Sequence, residues 1–204
     1  MSKQVEFHAT KQLLIDTVLA MLETQNPGTI TSDQVLARAR VSSGSLYHHF
    51  HDFGDLMEQV LCTEYVRFID RTIDLLNMAN DQADTFEEWA KGIEHARRMT
   101  HGPAYSHIRA LRTWTVAQSF ASERLSALLA EGQDRLNSKF VEFINKGKAR
   151  GWADQDIDAH AVVVFIQSYQ FGSVIDDVAS THVDPDVWMS LLDIVIARSF
   201  LTPK

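Results

Sequence analysis

The sequence predicts an all-α chain: a small N-terminal helical unit followed by a larger helical bundle. Apolar residues recur at three- and four-residue spacing along most of its length, polar caps and proline or glycine breaks divide it into helix-sized segments, and no strand alternation persists. Its 204 residues are 45% hydrophobic and 23% charged, with four prolines and nine glycines. That composition supports one extended core or two modest ones and lacks the signature of disorder.

Leu14, Val18 and Leu22 repeat every four residues, and Ile15 and Leu19 fill the adjoining strip, which predicts a first helix over about residues 8–25. Asn26-Pro27-Gly28 ends it, because proline lacks a helical N–H and glycine tolerates a left-handed exit. Thr31 and Gln34 stand at capping-box spacing and open a short helix over 32–39. Ser42 and Ser45 repeat the polar pattern and open a second short helix through about Phe50. Asp52 caps a long helix whose stripe runs through Leu56, Val60, Tyr65, Phe68, Ile69, Ile73 and Leu76. Further helices are expected over 84–99, 104–120, 122–148, 156–181 and 185–200, divided by Gly102-Pro103, Gly151 and Asp184-Pro185. Val162 to Ile166 has the composition of a buried strand, but it lies in a long stretch without a strong breaker, so helix is read there.

Composition and motifs remove several function classes. Cys62 is the single cysteine, which excludes an internal disulfide and a cysteine-rich zinc module and fits a reducing compartment; the cytoplasm is the expected location. The longest apolar run falls far short of the roughly 18 residues that cross a bilayer. Met1 to Thr10 holds no apolar signal segment. Nineteen basic against 27 acidic residues give a net charge of −8, which argues against a broad polyanion-binding surface and leaves a local DNA contact open. The adjacent carboxylates Asp176-Asp177 and Glu87-Glu88 point to different sides of a helix and form no convergent pair. Cys62 sits beside Leu61 in the long helix, where a buried thiol is inert. No glycine-rich phosphate loop or H-E-x-x-H motif is present, so no enzyme and no cofactor are expected. His48, His49 and His51 lack the spacing and further ligands of a metal site.

The informative segment is Thr31 to Leu56, two short capped helices joined by a tight turn, the form of a helix-turn-helix. Val35, Leu36, Ala39, Val41, Leu46 and Phe50 supply the apolar contacts that hold the pair together. The second helix then presents Ser43, Gly44, Ser45, Tyr47 and His48 outward. Short hydroxyls and a glycine admit close approach to DNA, and the Tyr47 hydroxyl can donate to a phosphate or touch a base edge.

The string Val41-Ser42-Ser43-Gly44-Ser45-Leu46-Tyr47-His48-His49-Phe50 resembles the recognition region of the TetR family of bacterial transcriptional regulators. The resemblance covers about residues 8–60 by motif and the remainder by helix count. It implies an all-α homodimer. Its N-terminal helix-turn-helix domain, residues 1–55, would bind double-stranded operator DNA of palindromic sequence. Its C-terminal helical domain, residues 56–204, would dimerise and hold a small-molecule effector that releases the operator, repression being the family's usual mode. Carried over by position, Ser43, Gly44, Ser45, Tyr47 and His48 face bases or nearby backbone, while Ser32, Ser42 and His49 contact phosphates. Arg40 stands where the family usually has glycine; either it accepts a left-handed backbone at roughly 1 kcal/mol or the turn differs. Its guanidinium can also reach a phosphate. Phe53 and Gly54 replace the lysine and glutamate common at the start of the fourth helix, which removes one phosphate contact.

Residues 1–55 hold four basic and six acidic side chains, formally −2, with His8, His48, His49 and His51 in addition. Protonation of these imidazoles is expected to strengthen DNA binding as pH falls toward 6. The acidic balance also keeps open a helical protein-interaction adaptor that has lost DNA binding. In the larger domain, Trp89, Tyr105, Trp114, Phe165 and Tyr169 are the expected effector pocket, with Arg109 as partner for an anionic ligand, although aromatics at helical spacing also suit plain core. Leu125, Leu128, Leu129, Leu136, Phe140 and Phe143, with Val162, Phe165, Ile166, Tyr169 and Val174, are expected to pair with a second subunit.

Overall fold

The computed structural model describes residues 3–101 and 105–201. Its helices are α1 (Lys3–Leu22), α2 (Ser32–Ala39), α3 (Ser43–His49), α4 (Phe53–Asp81), α5 (Phe86–His101), α6 (Ser106–Ser119), α7 (Glu123–Ala149), α8 (Ala159–Asp177) and α9 (Pro185–Phe200). Among the described residues the one extended pairing is an isolated antiparallel bridge between Ala153 and Leu201. The expected break at Gly102-Pro103 lies outside the described residues. A 3₁₀ turn at Pro27–Thr29 was not expected; Pro27 at its first position presets the backbone for it.

The chain forms two compact units that do not divide at residue 55. One comprises the residues up to Val66 together with Trp114–Leu129; the other comprises Arg67–Thr113 and the residues from Ala130. Helices α4, α6 and α7 contribute to both.

In the first unit α1 packs on α2 and α3. The predicted stripe is buried: Leu14, Val18 and Leu22 belong to the unit's core, as do Val35, Leu46, Phe50, Leu56 and Val60. Trp114 from α6 belongs here too. Its ring lies against Gly28, where a Cβ would stand 2.8 Å from the indole, so a side chain there would displace the ring.

The second unit is built around Trp89, which is 1% exposed. Its indole N–H donates to Asn80 Oδ1 at 3.1 Å, and its ring stacks on Phe143 with centroids 5.2 Å apart. Two arginines of α6 fix that helix. Arg109 makes a two-pronged pair with Asp177 on α8, at 2.8 and 2.6 Å. The Arg112 guanidinium lies between the rings of Phe68 and Phe171, 3.7 and 4.9 Å from their centroids.

The expected pairing surface is corrected. On α7, Leu125, Leu129, Leu136, Phe140 and Phe143 are buried in their own chain; Leu128 alone of that set is exposed on the helix. Of the expected α8 residues Phe165 is exposed, and beside it α8 and α9 expose Val164 and Ile175, then Val187, Leu191 and Ile194, which were not expected. Alternation around α8 assigns Val162 and Val163 to the core and Val164 to the surface.

Candidate nucleic-acid interface and ligand cavity

The first candidate site is the α2–α3 pair. The capping box at Thr31 forms as the spacing predicts: the Gln34 N–H donates to Thr31 Oγ1 at 3.4 Å and the Thr31 N–H to Gln34 Oε1 at 2.9 Å. Helix α2 ends at Arg40, whose backbone is left-handed at φ 57° and ψ 41°. Of the two alternatives left by the sequence, the non-glycine left-handed turn is the one adopted. Ser42 then caps α3, its Oγ accepting from the Ser45 N–H at 3.3 Å and lying 3.1 Å from the Ser45 hydroxyl. The start of α4 is fixed reciprocally: Asp52 Oδ1 accepts from the Asp55 N–H at 2.7 Å, and Asp55 Oδ2 from the His51 N–H at 2.9 Å.

Leu46 and Phe50 anchor α3 inward at 1% and 2% exposure, while Ser43, Gly44, Tyr47 and His48 face outward, Tyr47 at 60%. Among the described residues a Cβ on Gly44 would meet only Ser42 Oγ, at 3.8 Å, so none of them requires glycine there. Ser32 and Ser45 are half-buried at the starts of α2 and α3, Arg40 and Ser42 are exposed, and Phe53 is half-buried. His49 is half-buried and its ring stands edge-on to His48, centroids 5.3 Å apart. Burial, and then the charges of His48, Lys11 and His8, hold the His49 pKa below the usual imidazole value. Lys11 Nζ lies 5.3 Å from the centroid of the Phe50 ring. A basic group of histidines and Lys11 thus concentrates at α3 although the segment's formal charge is negative.

The second candidate site is a cavity of about 90 Å³ in the second unit. Its wall is mostly apolar and aromatic, including Leu76, Trp89, Phe140, Phe143, Val162 and Phe200, with Thr72, Arg97, Lys148, Asp154, Tyr169 and Gln170 as polar members. Of the expected pocket residues, Trp89 and Tyr169 line it. Phe165 stands behind it, 5.8 Å from the Tyr169 ring centroid and 5.4 Å from that of Phe200. Tyr105 is at the start of α6 outside the lining, and Trp114 is spent on Gly28 in the first unit. Arg109 is turned to Asp177 and does not line the cavity. The arginine that does is Arg97, which the sequence reading missed. Its signal is positional: Trp89, Ile93, Ala96 and Arg97 fall at i, i+4, i+7 and i+8, placing a charge on an apolar stripe. Burial pushes the Tyr169 phenol up to about 12, so it stays a neutral hydroxyl.

No protein-family model and no curated protein matches this sequence. Solved structures do match in fold. A transcriptional regulator from Saccharomonospora viridis in complex with choline superposes with a TM-score of 0.73 at 13% identity, covering 96% of this chain and 99% of that one. A TetR-family regulator from Mesorhizobium loti gives 0.73 at 11% identity over 99% and 100% of the two chains. The reduced form of NemR from E. coli gives 0.70 at 14% identity over 95% and 98%. The chain has the all-α fold of TetR-family transcriptional regulators. Among the described residues no helix is long and apolar enough to cross a membrane.

Proposed function

We propose that this chain is a ligand-responsive DNA-binding transcriptional regulator of the TetR family, not an enzyme, acting as a homodimer on a palindromic operator in the cytoplasm. The observation that carries the reading is the outer face of α3. Ser43, Gly44, Tyr47 and His48 are presented together, and a bare glycine that the chain's own packing does not need leaves room for a groove wall. Ser45 adjoins that face, and Ser32, Ser42 and His49, with Arg40, flank it as phosphate-side contacts.

The exposed apolar row on α8 and α9 supports a two-fold dimer. Gly172, with none of the described residues within 4 Å of its would-be Cβ, allows a partner helix to approach closely. Dimerisation sets two recognition helices about 34 Å apart, one per successive major groove. Helix α4 begins next to α3 in sequence and lines the cavity through Thr72, Leu75 and Leu76. An effector that prefers another placement of α4 therefore biases the dimer against the operator, which is repression relieved by ligand.

Fluorescence anisotropy with labelled duplex from the DNA flanking its own gene, across a salt series, tests the reading. Sequence-preferring binding that weakens steeply with salt supports it. Absence of binding, at any salt, favours the adaptor that the formally acidic segment leaves open.

A further inference from the structure

Resting on the reading of the cavity as an effector site, the polar groups on its wall identify the ligand's chemistry. The Arg97 side chain is 4% exposed and lines the cavity. A guanidinium stays charged at any physiological pH, and once taken out of water it needs an anion or strong acceptors. Its carboxylate partner is Asp193 on α9, which is 42% exposed and is not part of the cavity wall. The cation thus faces the cavity while its counter-charge faces water.

The remaining charges on the wall are committed locally. Lys148 Nζ donates to the carbonyls of Ile157 and Gln155, and Asp154 Oδ1 accepts from the Asp156 N–H. Tyr169 and Gln170 are neutral donors from α8 on the same wall as Arg97. The rest of the lining is hydrocarbon and aromatic.

We propose that the cavity takes a compact apolar carboxylic acid, whose carboxylate replaces Asp193 on Arg97 while its hydrocarbon body lies against Trp89, Phe140 and Phe143. The exchange is one carboxylate for another, so the charge count at Arg97 is conserved and the desolvation of the guanidinium has already been met by folding. An ammonium ligand would add a cation beside Arg97 and Lys148. A neutral ligand would gain the apolar contacts without the ion pair. Release of Asp193 also removes an ion pair between α5 and α9, leaving that of Arg98 with Asp186 at 3.8 Å, and so loosens the helix that presents Val187, Leu191 and Ile194 outward at the proposed dimer face.

Isothermal titration calorimetry of the full chain with two matched sets separates these cases: benzoate, benzamide and benzylamine, and 3-methylbutanoate, 3-methylbutanamide and 3-methylbutylamine. Each acid is expected to bind at least about tenfold more tightly than its amide, the scale of a charged hydrogen bond, with the amine weakest. Asp193→Asn removes the competing carboxylate and tightens the acids several-fold without changing the amides; Arg97→Gln abolishes the acid preference. Should Arg97→Gln fail to fold, Asp193→Asn alone decides, because a merely structural ion pair predicts weaker or unchanged acid binding. Equal binding of acid and amide, or preference for the amine, overturns the proposal and leaves the cavity as an effector site for other chemistry. Silence of all six probes overturns it as well, while operator binding, read separately by anisotropy, is unaffected.

Discussion

Gly147 and Trp89 are mutually determined: a Cβ on Gly147 would stand 2.5 Å from two atoms of the indole ring. The indole cannot retreat without giving up its hydrogen bond to Asn80 and its stacking on Phe143. Gly147→Ala is therefore expected to destabilise the second unit by about 1–3 kcal/mol, the range of an overpacked core, despite alanine's better helix propensity. Thermal denaturation followed by tryptophan fluorescence checks it, and a variant as stable as the parent would contradict the packing described.

Gly44 behaves oppositely. With its nearest neighbour at 3.8 Å, Gly44→Asp should leave the melting temperature within the scatter of surface changes, about 0.5 kcal/mol, yet reduce operator affinity by more than about tenfold. Tyr47→Glu should do the same. Retained promoter occupancy in both variants, measured by chromatin immunoprecipitation, would remove α3 as the reading element.

The left-handed backbone at Arg40 gives a prediction in which stability and binding part company. Arg40→Gly relieves about 1 kcal/mol of conformational strain, partly offset by the freer unfolded chain, so the variant should gain several tenths of a kcal/mol. Loss of an exposed cation beside the proposed groove should weaken DNA binding and reduce the slope of log affinity against log salt by up to about 1. Urea denaturation and anisotropy titrations measure the two effects independently.

His49 links both properties to pH. Its folded-state pKa is lowered by burial and by the neighbouring His48, Lys11 and His8, so as pH drops through the ordinary imidazole value of about 6.5 the unfolded chain binds more protons and folding stability decreases. Phosphates act the other way and favour the charged ring, so DNA binding should strengthen between pH 8 and 6 at fixed salt, with uptake of protons. His49→Gln should flatten both trends. Operator affinity constant across that interval would show that the histidines near α3 carry no part of the interaction.

Local order was readable wherever a short-range rule acts alone. Thr31 with Gln34, Ser42 with Ser45, and Asp52 with Asp55 are contacts between residues three apart, and the structure forms each of them. Leu14, Val18 and Leu22 were readable because their helix has one buried face. What could not be read was the assignment of side chains between helices remote in sequence. Arg109 and Arg97 are both arginines on amphipathic helices; their partners, Asp177 and Asp193, lie 68 and 96 residues away, and those partners decide which guanidinium reaches the cavity. Trp114 was expected in the pocket for the same reason, since nothing local reports that Gly28 leaves a berth for its ring. The apolar excess on α7 and α8 was visible, but its division between interior and surface depended on α9, whose own outward row at Val187, Leu191 and Ile194 the sequence reading passed over.

That outward row has a consequence for dosage. If two copies close it, part of each chain's folding free energy comes from meeting its twin, and apparent melting temperature climbs with protein concentration. A cell holding few copies would then carry a weaker switch than one holding many, so regulatory strength would scale with expression more steeply than in simple proportion.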